Sequence, residues 1–321
     1  RVYTNEFDNV KLQINSKSPL YNAILSIDNI STKYYEASNF NLVNVTLNDT
    51  LFMRTDFIGG KEKTEKYDLS IYHTINKSGH SVVGFKKSEI VYKDNVWFIN
   101  ELDDSLNKLV FDKDFKNFAI DKISVYSQGQ NIGISGAMSG ITQNIDLDFT
   151  NVNLNAISPP IDSLRLDGKL NGRVSLQKKN EKYIPLADLT INYFSINSDY
   201  YGDFTMVAEG NENLSNYTFD AALVNSDLIS AEIKGNVDFE QKTPTILASV
   251  QLNKFRLNAF SPLGGIVLSN LRGIASGSVN VFGNLYNPIF DGEILLHDAG
   301  LKVPYLNVDY NFADNSKVLL Y

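Results

Sequence analysis

The chain of 321 residues contains no cysteine. That absence removes disulfide bonds, cysteine-ligated zinc, iron–sulfur clusters and thiol nucleophiles together. Histidine is almost as scarce. His73, His80 and His297 occur with no His-x-x-x-His spacing and no His-Glu pair, so a metal or triad histidine lacks the neighbours it needs. No stretch approaches the roughly 18 consecutive apolar residues that span a bilayer, and no charged start followed by an apolar block reads as a signal peptide. Clustered positive charge is missing too: 29 Lys and Arg face 37 Asp and Glu, for a formal net charge of -8. Phosphate affinity rests on clustered cations, so no nucleic-acid partner is expected.

Two partial motifs fail. Gly136-Ala137-Met138-Ser139-Gly140 approximates the serine-hydrolase elbow, but its serine sits one place late and its context is strands rather than strand-turn-helix. Asp112-Lys113-Asp114 opens like a calcium loop, yet Asn117 stands where that loop needs glycine and no acidic residue closes it. The chain is therefore not read as an enzyme, and no catalytic residue, metal or cofactor is expected.

What is present is alternation. Hydrophobic residues make up 43% of the chain and charged residues 21%, enough apolar surface to fold. Ile229, Ala231, Ile233, Gly235, Val237 and Phe239 fall on one side of an extended chain; Ser230, Glu232, Lys234, Asn236 and Asp238 fall on the other. The same period of two runs through Phe204-Met206-Ala208, Phe219-Ala221-Leu223 and Ile246-Ala248-Val250-Leu252, as expected of strands with one buried and one wet face. Turn clusters such as Asn76-Lys77-Ser78-Gly79 and Phe282-Gly283-Asn284 separate the runs, which implies sequential hairpins and an antiparallel meander. Helical candidates are few: Leu102 to Leu109, opened by Asp103-Asp104-Ser105, and a turn at Asn258 to Leu263.

A repeat organises the second half. Leu154-Asn155-Ala156-Ile157-Ser158-Pro159 returns as Leu257-Asn258-Ala259-Phe260-Ser261-Pro262, an offset of 103 (257 less 154). Gly168 and Gly172 return as Gly273 and Gly277, an offset of 105 (277 less 172). Tyr183-x-Pro185 returns as Tyr286-x-Pro288, and Phe204-Met206-Ala208 is matched by Val308-Tyr310-Phe312. The expected division is a strand-rich section 1–144, a first repeat copy 145–250 and an incomplete second copy 251–321, with the four glycines as bend positions. The chain begins at Arg1 and stops at Tyr321 inside what reads as a strand, and is taken as a fragment of a longer protein.

From Leu271 the chain runs Leu-Arg-Gly-Ile-Ala-Ser-Gly-Ser-Val-Asn-Val-Phe-Gly-Asn-Leu-Tyr-Asn-Pro-Ile-Phe-Asp-Gly-Glu-Ile-Leu-Leu-His-Asp-Ala-Gly-Leu-Lys-Val-Pro-Tyr. This resembles the Gly-rich strand, Asn-Pro-x-x-x-Gly strand and Ala-Gly-Leu…Pro-Tyr strand of TamB-like proteins of the AsmA-like superfamily, in their Bacteroidota form. A weaker copy spans Leu166 to Ile196, where Leu189 stands in place of Gly292. The resemblance implies an all-β fold: an elongated, mostly antiparallel repetitive sheet curled into an open hydrophobic trough, with at most one or two short helices. It also implies a periplasmic scaffold that carries phospholipid between the membranes or aids outer-membrane assembly. Its expected partners are phospholipid acyl chains and an outer-membrane barrel of the TamA type, with an inner-membrane anchor outside this fragment.

On that reading Leu170, Val174, Leu189, Ile191, Phe204, Met206, Ile229, Ile233, Val279, Val281, Phe290, Ile294, Val308 and Tyr310 line the groove. Periodicity alone leaves a filled core open, in which the same face is closed over and the chain is a strand-rich adhesin or extracellular binding module.

Overall fold

A computed structural model describes residues 5–16, 21–33, 35–60, 62–158, 164–179, 181–226, 228–265 and 267–321. Within them the chain is nearly all antiparallel β, as the alternation requires, with 23 strands. It divides into two compact units, Arg1–Asp148 and Phe149–Tyr321. Apart from residues 145–148, both expected copies of the repeat lie in the second unit; position 250 falls inside a strand that is paired on both sides.

In the first unit β1 (Glu6–Asp8) and β2 (Lys11–Asn15) both pair with β3 (Tyr21–Ser31). The ladder continues through β4 (Glu36–Leu47), β5 (Thr50–Gly59) and β6 (Glu65–Ile75), then forks. One end of β6 pairs with β7 (Ser81–Phe85) and the other with β8 (Ser88–Tyr92). β9 (Asn95–Ile99) extends β8, β10 (Lys108–Phe111) extends β7, and both branches rejoin at β11 (Asn117–Ser127), which pairs with β12 (Gln130–Ser139).

The helix expected at Leu102 to Leu109 is absent: a loop leads into β10 instead. Polar side chains in and beside it bond to backbone groups instead, in competition with a helix. Asn100 Oδ1 accepts from the Asp104 N–H at 2.9 Å, Asp104 Oδ1 from the Leu106 N–H at 2.8 Å, and Asn107 Oδ1 from the Ser124 N–H at 2.9 Å.

β13 (Thr142–Asn153) carries the chain into the second unit, followed by one helical turn, α1 (Leu154–Ile157). The meander then runs through β14 (Leu166–Lys179), β15 (Lys182–Ile196), β16 (Asp199–Gly210), β17 (Asn216–Asn225), β18 (Leu228–Asp238) and β19 (Thr245–Arg256), each paired with the next. The expected turn appears as a 3-10 helix, Asn258–Gly264. β20 (Ser269–Asn284) pairs back onto β19, and β21 (Asn287–Val303) pairs with β20 and then with both β22 (Val308–Asn311) and β23 (Ser316–Leu320).

Tight hairpins set the register. Leu47 pairs with Thr50, and Asn48 and Asp49 both take left-handed φ, 48° and 58°. Ile196 pairs with Asp199 around Asn197 and Ser198 at 51° and 73°. Two residues of this kind form the turn whose twist matches that of the flanking strands, and Asn and Asp tolerate it better than most side chains.

Candidate functional site

Cross-strand register builds one continuous apolar face on the second unit. One row of partners runs Gly172, Leu189, Met206, Ala221, Ile233, Val250, Val279 and Gly292, from β14 to β21. Two residues along, towards the hairpins that follow Lys179 and Gly210, the next row is Val174, Ala187, Ala208, Phe219, Gly235, Ala248, Val281 and Phe290. On the other side lies Leu170, Ile191, Phe204, Leu223, Ala231, Leu252, Gly277 and Ile294. No polar side chain interrupts these three rows. Alternation sends the intervening positions, among them Asp188, Asp220, Lys234, Ser249 and Glu293, to the opposite face. There Lys234 meets Glu232 at 2.7 Å and Asp220 at 3.3 Å, and these bonds raise its pKa above the ordinary lysine value.

The face is not uniformly covered. Towards the chain ends marked by Ile196 and Arg256 it is packed: Phe194, Ile196, Tyr201, Leu223, Ala231 and Ala259 are buried together, with Phe255 and Phe260 against them. Tilted rings meet in series there, Tyr201 with Phe255 at 5.3 Å and Phe255 with Phe260 at 5.8 Å. Tyr201 Oη donates to the Arg256 carbonyl at 2.9 Å, Asn197 Nδ2 donates to the Ala259 carbonyl at 2.7 Å, and Arg256 donates to the Tyr200 carbonyl. Burial also pushes the Tyr201 phenol up. Towards the opposite hairpins the cover is thinner: Val174 is 37% exposed and Phe290 47%, and Ile233 in the middle row is 36% exposed, while Ala248 between them stays buried.

The expected lining residues therefore differ in what they can touch. Leu170 and Val279 are buried, at 8% and 5% exposure, and are covered by neighbours. Leu189, Ile191, Phe204, Met206, Val281 and Ile294 are half-buried. Val174, Ile233 and Phe290 are exposed in the central rows, and Val308 and Tyr310 are exposed in β22, opposite Val303 and Leu301. Ile229 leaves the pattern. Leu223 pairs with Ala231 but Val224 pairs with Ile229, so a one-residue irregularity puts Ile229 out of the row that Ala231 and Ile233 continue.

All four expected bend glycines are constrained. A side chain on Gly172 would lie well inside contact distance of the Asp188 carbonyl oxygen, and one on Gly277 would meet the Glu293 carbonyl in the same way. Gly168 faces Ile191 and Gly273 faces Ala299 at comparably close range.

The residues of the two partial motifs lie in a strand and a turn. Ser139 ends β12 rather than standing on a strand-to-helix turn. Asp112 is used up in its own turn: its carboxylate accepts from Asn117 Nδ2 at 2.6 Å and from the Lys116 N–H at 2.8 Å, and the Asn117 bond above all holds its pKa low. His297 Nδ1 lies 3.1 Å from Asp314 Oδ1, and His73 Nε2 lies 3.3 Å from Ser81 Oγ. Among the described residues no group of three His, Asp or Glu is placed to hold a metal, and no helix is long and apolar enough to cross a membrane.

Sequence reasoning missed Asn197, Tyr201, Phe255 and Arg256, which tie the packed end together. Their signal was the recurring Leu-Asn-Ala segment, but its packing partners lie more than fifty residues away. Comparison with family models, with curated proteins and with solved structures finds no match.

Proposed function

We propose that this chain is a lipid-holding scaffold segment of the Gram-negative periplasm, of the TamB-like kind that its last strands resemble. The apolar face of the second unit works as an open trough that solvates phospholipid acyl chains. The observation that carries the reading is the half-exposed part of that face: Val174, Ile233 and Phe290 continue rows that hold no polar side chain. Fully burying one such side chain is worth roughly 1.5–3 kcal/mol, so each half-exposed one leaves about 1 kcal/mol to be gained by an apolar ligand. Backbone donors and acceptors along these strands are spent in the ladders, so the face offers nothing to a polar ligand. Docking to an outer-membrane barrel of the TamA type and anchoring at the inner membrane belong to the same proposal and rest on the resemblance alone.

The packed end at Phe194 and Tyr201 favours a second reading, a strand-rich adhesin or binding module whose apolar face is ordinary core. Gently purified protein, extracted and analysed by mass spectrometry, separates the two. Co-purifying phospholipid at near-stoichiometric level is expected. Lipid-free protein that also takes up none from vesicles would refute the trough.

A further inference from the structure

We propose that the apolar face of the second unit has one open side only: acyl chains reach it past the hairpins that follow Lys179, Gly210, Asp238 and Asn284, and stop against a fixed wall at the other ends of the strands. The inference rests on the lipid-holding reading and adds a direction of entry and a stop.

The wall is where non-local bonds close the sheet. β16 and β19 are three strands apart, about 14 Å in a flat sheet. Yet Tyr201 Oη reaches the Arg256 carbonyl at 2.9 Å, and Asn197 reaches the Ala259 carbonyl at 2.7 Å. The Arg256 guanidinium lies over the Tyr201 ring at 5.4 Å. Partly buried Phe255 and Phe260 pack against the buried Phe194, Ile196 and Tyr201, and an aromatic cluster packed in this way leaves little room for a chain to pass.

The opposite side has the composition of a mouth. Val174 and Phe290 are exposed there, and beyond them the hairpins bear two ion pairs, Lys182 with Glu212 at 2.6 Å and Lys178 with Glu181 at 2.8 Å, and a hydrogen bond from the Ser215 hydroxyl to Glu240 at 3.2 Å. An apolar face bordered on that side by exposed charge suits a molecule with one apolar and one polar end. The occupant is an amphiphile whose chain lies along the strands and whose headgroup stays among the hairpins.

Two phenylalanines on this face report on the two ends. Phe219 sits in the open rows, in β17, and Phe255 in the wall. Each is replaced in turn by photoreactive p-benzoylphenylalanine, an aromatic for an aromatic, and folding is checked by circular dichroism. The protein is then incubated with phosphatidylethanolamine–phosphatidylglycerol vesicles and irradiated, and lipid adducts are quantified by mass. Adducts at least ten-fold more abundant at Phe219 than at Phe255 are expected. Equal adducts overturn the wall while leaving the lipid reading intact; no adduct at either position overturns both. Phe260 replaces Phe255 as the wall probe if that variant melts early.

Discussion

At Gly172 and Gly277 a hydrogen takes the place of a side chain that would collide with the carbonyl of residue 188 or 293 on the next strand, and φ is 120° and 151°. Alanine at either site forces the strands apart or the backbone out of its conformation. Gly172→Ala and Gly277→Ala are expected each to cost about 1–3 kcal/mol, read as a lowered midpoint in thermal melting. A change below a few tenths of a kcal/mol would show that the strands do not depend on this close approach. Asp112 provides a second test. Its carboxylate accepts from Asn117 and from two turn amides, so its folded pKa lies below the ordinary 3.8. The turn's contribution is therefore complete above 3.8 and is lost as pH falls through the lower folded value. An NMR titration should place the Asp112 midpoint below 3.8, and Asn117→Ala should move it back up.

Hairpins are the unit in which the repeat is real. Gly172 pairs with Leu189 and Gly277 with Ile294; Val174 pairs with Ala187 and Val279 with Gly292; Lys179 pairs with Lys182 and Asn284 with Asn287. Every member is displaced by 105 (294 less 189), so β14–β15 and β20–β21 share one register. The offset of 103 holds before the helical turn: the N–H of Asn151 bonds to Asn171 Oδ1, and that of Lys254 to Ser276 Oγ. The two extra residues thus lie between the helical turn and the glycine strand.

Two landmarks do not survive this alignment. Pro288 occupies the place of Tyr183, not of Pro185, and Met206 corresponds by its partner to Val318 of β23 rather than to Tyr310. β22 and β23 divide between them the role that β16 fills alone. A bulge device recurs across the sheet, in which a residue of left-handed φ has its N–H taken by a neighbouring side chain. At Tyr193, with φ 55°, the acceptor is Asp203 Oδ1 at 2.8 Å. Asp203→Ala should cost about 1 kcal/mol and speed hydrogen exchange at the Tyr193 amide, with remote amides unchanged.

Across the second unit, exposure predicts where a charge is tolerated. Ala275 is 1% exposed, and Ala275→Asp buries a carboxylate with no partner, expected to cost several kcal/mol and to unfold the unit. Val174→Asp and Ile233→Asp place the charge where water reaches, so circular dichroism should remain native while bound phospholipid falls severalfold. If both exposed variants unfold, the face is core throughout. If both fold and keep their lipid, the face is not the binding surface. Val279→Asp, which periodicity alone would rank with these, belongs with Ala275 because Val279 is 5% exposed.

Strand character and the meander were legible in the chain itself, because they depend on alternation and on turn residues that act over two to five positions. The apolar rows were legible for the same reason: Leu189, Met206 and Ile233 share a face by parity alone. What parity cannot carry past is an irregularity, and the shift between Leu223 and Val224 moved Ile229 out of its row. The loop at Leu102 to Leu109 escaped because Asn100, Asp104 and Asn107 bond to backbone groups, an outcome that propensity does not encode. Which part of the apolar face is packed and which is open was decided only by tertiary structure. That choice rests on Asn197, Tyr201 and Arg256 meeting partners 55 to 62 residues away in the chain, and burial is a property of such contacts, not of any one residue's chemistry.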